Sequence, residues 1–237
     1  MQALLIIGPP GSGKSPFGDY LEKQSAAGRR FRHFDFGRVL RELLKVQIPD
    51  GPGQPVETRA EKIEKQEPTG EEKPSAAIYF SSRELARVRQ SVETATMFEE
   101  ADRELVRKIV RFFLEKNGVG GDEILILNGL PRHRAQVGWL EDILQVVLVL
   151  NLDCPEDIAV RRILANLDGE RQGREDDRLE VIVRRYRLYL ERTGPLVDYF
   201  RQAGIPVLTL KVDRETRPEA LWPQLAAWPH FSLLFSG

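Results

Sequence analysis

Residues 3–15, ALLIIGPPGSGKS, decide the fold of this chain. The continuous apolar run at 3–7 predicts a short strand buried on both faces, and the glycine-rich turn after it leads into a predicted helix. Residues 8–15 match the pattern G-x-x-x-x-G-K-[ST], in which backbone N–H groups, a lysine and a hydroxyl surround phosphate groups. The pattern needs a strand before it and a helix after it. A phosphate-binding loop is therefore favoured over an ordinary turn with a chance glycine pattern.

Each part of this loop has a physical task in binding a nucleotide. Glycines let the backbone wrap closely around a phosphate, and the start of the helix adds partial positive charge. Lys14 is expected to reach the β- and γ-phosphates, and Ser15 to bind Mg²⁺ directly. The residues predicted to bind ATP are Gly8, Pro9, Pro10, Gly11, Ser12, Gly13, Lys14, Ser15 and Pro16.

Pro16 is unusual in such a loop because proline has no N–H to donate. The missing amide usually faces the α-phosphate, and one lost hydrogen bond to a charged group costs about 1.5–3 kcal/mol. That free energy corresponds to roughly ten- to a hundredfold in affinity. A proline just inside a helix start is structurally tolerated, so we expect the cost to fall on nucleotide affinity rather than on folding.

Composition limits the classes of function. With 237 residues the chain can form one sizeable α/β domain, and a net charge of −1 gives no bulk attraction to nucleic acid or an anionic membrane. The single Cys154 excludes a disulfide framework, and His33 and His133 are predicted to be surface or loop residues rather than metal ligands. The N-terminal apolar run is too short for a signal peptide or a membrane span, so a cytoplasmic protein is expected.

Strands and helices are predicted to alternate along the chain. This alternation indicates an α/β, three-layer fold with a five-stranded, mainly parallel sheet and helices on both faces. One segment, 47–74, is rich in Pro, Gly, Glu and Lys without a hydrophobic period, and is predicted to be a long insert. The further strands are predicted at 31–34, 123–127, 146–150 and 206–210, and the helices include one from 13 to about 27, one at 37–46 and one ending at 117.

Two further motifs carry charged or polar groups at predicted element ends. Residues 128–132, NGLPR, follow a buried strand at the edge of the sheet where open α/β folds bind ligands. Residues 174–177, REDD, open a helix, and Arg185 lies eleven positions after Arg174 on the same helical face. Taken alone, each motif is equally compatible with a simple strand-end turn or a charged helix start.

The order of these motifs resembles the adenylate kinase family of nucleoside monophosphate kinases. The family motif D-G-[FY]-P-R-x-x-x-Q is similar to 128–132 together with Gln136, and the motif R-x-D-D is matched at 174–177. Residues 193–200, TGPLVDYF, resemble the family segment T-x-P-L-[IV]-x-Y-[YF]. Arg41 and Arg162 match two further arginines of the family. The resemblance covers most of the chain apart from 47–74 and the last dozen residues.

The resemblance implies a single P-loop kinase domain over 1–237 that transfers the γ-phosphoryl group of ATP to a nucleoside monophosphate, with AMP favoured. It implies Mg²⁺ as cofactor, a monomer, and no nucleic-acid or membrane partner. An acceptor-binding region is expected at about 36–96 and a short lid at about 167–176. The implied catalytic residues are Lys14, Arg132, Arg162, Arg174 and Arg185. The implied acceptor-binding residues are Phe36, Arg41, Gly129, Arg132 and Gln136. Asp176 is expected to anchor the lid, and Mg²⁺ is expected to be held directly by Ser15 and through water by Asn128.

Four residues depart from the family pattern. Asn128 replaces an aspartate and so loses a charge, Phe36 replaces a small hydroxyl residue, and Asn166 stands where an arginine is expected. Pro16 is the fourth departure. Two alternatives therefore stay open: a P-loop kinase with another small acceptor, and a nucleotide-binding regulatory protein with weak or no catalysis. A nucleic-acid-dependent ATPase is disfavoured because no basic stripe interleaved with aromatic residues is present.

Overall fold

A six-stranded sheet forms the centre of the described part of the molecule; the structure is a computed structural model that describes residues 1–45, 76–165 and 179–235. The order across the sheet is β2-β3-β4-β1-β5-β6. All neighbours are parallel except β2 and β3, which are antiparallel. The strands are β1 (Gln2–Ile7), β2 (Ser25–Ala26), β3 (Arg29–Asp35), β4 (Ile124–Asn128), β5 (Gln145–Asp153) and β6 (Val207–Lys211).

The five predicted strands are present, but the predicted strand count is wrong by one. The extra strand, β2, pairs with the start of β3 through the two-residue turn Ala27–Gly28, where both residues have positive φ, at 50° and 76°. Positive φ at both central residues matches the twist of a tight hairpin. The helix predicted to reach about residue 27 therefore ends at Leu21. The Ala-Gly pair lacks the Asn-Gly or Asp-Gly signal of such a turn, which is why the hairpin was missed.

Helices cover both faces of the sheet, as predicted. Alternate residues of each strand enter two separate hydrophobic clusters: Leu5 and Leu127 lie in one, and Leu4 and Ile126 in the other. The described helices are α1 (Lys14–Leu21), α2 (Phe36–Lys45), α3 (Ala76–Tyr79), α4 (Ser82–Thr94), α5 (Arg103–Asn117), α6 (Glu156–Leu164), α7 (Leu179–Leu188), α8 (Leu196–Gln202) and α9 (Pro218–Ala226), with 3₁₀ turns at Glu100–Asp102, Arg134–Trp139 and Ser232–Phe235 and a π turn at Tyr189–Thr193.

The predicted insert at 47–74 and the predicted lid at 167–176 both lie outside the described residues. The division of the chain into one kinase domain with these two parts stays a prediction. Within the described ranges, no helix combines the length and the apolar character needed to cross a membrane. The prediction that His33 is a surface or loop residue is wrong, since it lies buried within β3. His133 lies in the loop after β4, as predicted, and its side chain is buried.

Candidate active site

The predicted phosphate-binding loop connects β1 to α1 in the expected way. Gly13 precedes the first residue of α1, and Gly11 and Gly13 both have a φ of 84°, a left-handed conformation that favours glycine. A Cβ atom at Gly11 would lie 2.4 Å from the carbonyl oxygen of Ala159 in α6. The loop is thus packed closely on α6, and its conformation depends on glycine at this position.

Two polar side chains of the loop face its interior. The Lys14 ammonium donates hydrogen bonds to the carbonyl oxygens of Gly8 and Pro9, at 2.8 Å and 2.7 Å, so its side chain folds back over the loop. The Ser12 hydroxyl is buried and has no hydrogen-bond partner within the described part of the chain. A buried hydroxyl without a partner costs folding free energy unless it binds a ligand or water. The unpaired Ser12 hydroxyl therefore fits a loop that binds a polar ligand.

Pro16 is the third residue of α1. The first hydrogen bond of the helix runs from the Phe17 N–H to the Gly13 carbonyl, at 3.0 Å, so proline at 16 removes no bond within the helix. The structural tolerance predicted for Pro16 is confirmed, and its effect on nucleotide affinity stays a prediction.

Three polar side chains meet at the carboxyl edge of the sheet beside this loop. The Ser15 hydroxyl donates to Asp35 Oδ2 at 2.5 Å, and the Asn128 amide nitrogen lies 3.1 Å from both Ser15 Oγ and Asp35 Oδ2. Asp35 ends β3 and Asn128 ends β4, and the two are partners in the register of these parallel strands. The sequence pattern assigns Asp35 no role, although it directly follows a predicted strand just as Asn128 does.

The donor atoms of this cluster suit Mg²⁺. A hydroxyl and a carboxylate supply hard oxygen ligands, and Mg²⁺ is usually held by one or two such groups together with substrate phosphates and water. Among the described residues, no set of three or more His, Cys, Asp or Glu side chains could hold a metal by itself. The residues present therefore fit a Mg²⁺ ion that arrives with a nucleotide.

A second part of the site contains several arginines. Burial and the nearby charges of Arg185 and Arg192 lower the pKa of Arg132 to about 10, so it stays protonated at neutral pH. Within the described ranges no carboxylate pairs with the Arg132 guanidinium, whereas Arg192 binds Glu99 through contacts of 2.5 Å and 3.1 Å. Three guanidinium groups close together attract an anion such as a phosphate.

Hydrogen bonds to the backbone N–H and the carbonyl oxygen of Arg132 hold its loop in place. The Arg132 N–H donates to Gln136 Oε1 at 2.7 Å, and its carbonyl oxygen accepts from the Thr193 hydroxyl at 2.7 Å. Gly129 has a φ of 84°, and a Cβ there would lie 3.5 Å from the Cβ of Phe36, so the turn after β4 passes close to α2. The Leu130–Pro131 peptide bond in this loop is cis.

Phe36 and Gln136, both predicted to bind the acceptor, lie in the interior. The ring of Phe36 packs with its centroid 6.0 Å from Phe34 and 5.5 Å from Phe98, so in this structure it fills core space. The Gln136 amide nitrogen donates to the Phe98 carbonyl at 2.9 Å, while its oxygen holds the Arg132 N–H. Both ends of the Gln136 amide are engaged by the backbone, and its predicted contact to a base stays a prediction.

Arg162 and Arg41 lie on two different helices, α6 and α2. Arg162 is 4% exposed, and its guanidinium donates to the carbonyls of Gly11 at 2.9 Å and Thr216 at 2.8 Å, which ties α6 to the phosphate-binding loop. Arg41 lies one turn into α2. A Cβ at Gly37 would lie 3.4 Å from Arg41 Nη1 and 3.5 Å from Asp35 Oδ1, so both charged groups are close to the first turn of α2.

The structure brings together most, but not all, of the predicted site residues. Arg174 and Asp176 lie outside the described residues, as does Asn166. Arg192 and Thr193 were not predicted to belong to the site. Their signal in the sequence was weak, because they come from the π turn after α7 and reach the Arg132 loop only through the tertiary fold.

A phosphate-binding loop at the end of β1 and an arginine loop at the end of the neighbouring β4 define the class of protein, which is a P-loop phosphotransferase. No family model matches the chain. The chain is 30% identical over 205 residues to adenylate kinase 1 of Nostoc sp., covering 84% of this chain and 85% of that protein. It is 29% identical over 210 residues to an adenylate kinase of Synechococcus sp., covering 86% and 85%.

The chain therefore belongs to the adenylate kinase family and is an ATP-dependent phosphotransferase of the nucleoside monophosphate kinase class. A shorter match joins it to a probable UMP-CMP kinase 1 of Arabidopsis thaliana, with 33% identity over 86 residues, or 35% of this chain and 40% of that protein. The predicted family membership and enzyme class are confirmed. The relatives do not resolve which nucleoside monophosphate is the acceptor.

Proposed function

We propose that this enzyme transfers the γ-phosphoryl group of ATP to AMP and releases two molecules of ADP. The observation that supports the proposal is that the glycine-rich loop after β1 and the Arg132 loop after β4 follow adjacent parallel strands. The choice of AMP is supported by the relatives that match over about 85% of the chain, which are adenylate kinases by name. The UMP-CMP kinase match covers 35% of the chain.

In the proposed reaction an oxygen of the AMP phosphate attacks the γ-phosphorus of ATP. A new P–O bond forms to AMP, the bond from the γ-phosphorus to the β,γ-bridging oxygen breaks, and ADP leaves with that oxygen. Charge spreads over the transferring group in the transition state, so catalysis depends on positioning and on positive groups. Arg132 and Arg41 would hold the acceptor phosphate, and Lys14 would neutralise the β- and γ-phosphates.

The remaining predicted residues have supporting roles in the proposal. Arg162, Arg174 and Arg185 would surround the transferring group, and Asp176 would anchor the lid over it. Gly129 and Phe36 would shape the acceptor pocket, with Gln136 beside the base. Ser15 would hold Mg²⁺ directly and Asn128 through water, and the bound ion would supply positive charge that neutralises the phosphates.

A coupled assay that detects ADP tests the proposal. With ATP and Mg²⁺ present, AMP should give the highest kcat/KM among AMP, CMP, UMP, GMP and the deoxynucleoside monophosphates. Lys14→Ala should abolish the signal, which excludes a contaminating kinase, whereas Lys23→Ala, at an exposed position in the turn after α1, should match wild type. Turnover highest with UMP or CMP would overturn the choice of AMP. ATP binding without turnover of any acceptor would overturn the kinase.

One observation favours a second candidate, a P-loop kinase for another small acceptor. Phe36 is buried against Phe34 and Phe98 and offers no hydroxyl to the acceptor side. A different small molecule that binds the chain in the presence of ATP, and consumes ATP where nucleoside monophosphates do not, would support this candidate.

A further inference from the structure

The strand-end cluster of Ser15, Asp35 and Asn128 contains one negative charge, and it is not on the residue where the family motif has it. Asn128 stands at the aspartate position of that motif. Its register partner on the next strand, Asp35, carries the carboxylate, which is 7% exposed. The carboxylate at this edge of the sheet therefore lies on β3 rather than on β4, and Asp35 and Asn128 both contact Ser15.

A helix cap would be the simplest role for Asp35, and the structure shows that it does this with one oxygen only. Asp35 Oδ1 accepts the Arg38 N–H at 2.9 Å at the start of α2, as an N-cap residue does. The other oxygen, Oδ2, points away from the helix to Ser15 Oγ at 2.5 Å and to the Asn128 amide at 3.1 Å. Capping does not require that second set of contacts.

The amide of Asn128 explains how one carboxylate is held in this place. An aspartate at 128 would put two carboxylates side by side, and like charges at this separation cannot both ionise without a compensating cation or proton. An asparagine instead donates a hydrogen bond to Asp35 Oδ2 and fixes the direction of the carboxylate. The cluster thus keeps its charge next to the hydroxyl of Ser15.

We propose that Asp35 is the carboxylate ligand, directly or through water, of the Mg²⁺ that accompanies ATP, and that Asn128 is the positioning residue for Asp35. This inference rests on the proposed function, because it assumes that a nucleotide phosphate occupies the loop beside Ser15. The loss of the aspartate at 128 is then a relocation of charge across the sheet and not a sign of an enzyme that has lost its metal.

The test separates binding of the metal from binding of the nucleotide. We expect Asp35→Asn to weaken Mn²⁺ binding to the protein–ATP complex by about ten- to a hundredfold, measured by electron paramagnetic resonance, because a charged ligand becomes neutral. ATP affinity in EDTA should change less than about twofold. Asparagine and serine are both good helix caps, so α2 should form in Asp35→Asn and in Asp35→Ser, and both should give the same loss.

The double variant Asp35→Asn with Asn128→Asp is the most specific test, because it moves the carboxylate from β3 to β4. It should recover most of the lost Mn²⁺ affinity. Asp198→Asn, which removes an exposed carboxylate on α8, should leave Mn²⁺ binding unchanged.

Two results would overturn the inference. If Asp35→Asn binds Mn²⁺·ATP as wild type does, Asp35 is a helix cap alone, and the proposed kinase is unaffected. If wild type binds no ATP in EDTA or with Mn²⁺, the proposed function fails, and this inference fails with it.

Discussion

The two sides of the site differ in how their charges are satisfied. On the side of the phosphate-binding loop, polar groups bind each other. Lys14 donates hydrogen bonds to two carbonyl oxygens, and the side chains of Ser15, Asp35 and Asn128 are hydrogen-bonded to one another. On the side of the Arg132 loop, burial and the nearby charges of Arg185 and Arg192 lower the pKa of Arg132 to about 10. Internal hydrogen bonds arrange the proposed ATP side, whereas the described residues on the proposed acceptor side leave positive charge that a phosphate can neutralise.

The largest effect is expected from Arg132→Gln. Acceptor kcat/KM should fall by about a hundredfold or more, because a bidentate contact to phosphate is lost, while ATP affinity should stay within about twofold. Stability should not fall. The folded-state pKa of Arg132 lies below its ordinary value of 12.5, so its charge disfavours the folded state below pH 10. Initial rates at varied AMP and a thermal melt at pH 7 measure both quantities.

Arg134→Gln is the matched control for this prediction. Arg134 is exposed, lies two residues further on and stacks over the ring of Tyr199 at 3.4 Å, so acceptor kinetics should be unchanged. A marked drop in melting temperature for Arg132→Gln would contradict the difference drawn between the two sides, because it would mean that Arg132 already has a stabilising partner.

Pro16→Thr sharpens the comparison from the donor side. Threonine restores the N–H that proline lacks in the first turn of α1, and we expect ATP to bind about tenfold more tightly. The affinity for AMP should not change. Titration calorimetry with ATP and with AMP measures the two affinities, and an unchanged ATP affinity would mean that this amide does not contact the nucleotide.

The smallest effect is expected from Glu84→Gln in α4, on the acceptor side. Glu84 completes a capping box with Ser81 and contacts Lys108 of α5 at 2.9 Å. We expect a loss of about 0.5 kcal/mol in the free energy of unfolding at pH 7, because the charge that pairs with Lys108 is removed while glutamine still completes the capping box. The KM for AMP should rise severalfold and the KM for ATP should not change, because α4 lies in the predicted acceptor-binding region.

The pH dependence of this variant follows from the pKa of Glu84. Burial acts to raise that pKa, but hydrogen bonds from Ser81 and Lys108 outweigh burial and lower it below its ordinary value of 4.5. A depressed carboxyl pKa stabilises the fold above about pH 4.5 and loses its effect as the pH falls through the folded-state pKa. Urea unfolding at pH 7 and pH 3 should show a gap between wild type and variant that narrows in acid. An equal gap at both pH values would assign the effect to packing.

Patterns carried by neighbouring residues were predicted well. The strand–loop–helix around the phosphate-binding loop, the parallel strands and the turn after β4 all follow from short runs of sequence. The β2–β3 hairpin was missed because its Ala-Gly turn lacks a strong local signal. The burial of His33 was missed as well: its Nδ1 lies 2.8 Å from Asp19 Oδ1 of α1, a partner fourteen residues away.

The sequence by itself determined the donor loop, because its glycines, lysine and serine are contiguous and their geometry is local. Only the tertiary structure decided which residues complete the site. Asp35 and Asn128 are 93 residues apart and meet because β3 and β4 pair in one register, and Thr193 reaches Arg132 across 61 residues. Sheet register and helix packing set such contacts, and both arise from burying apolar faces along the whole chain rather than from any short motif.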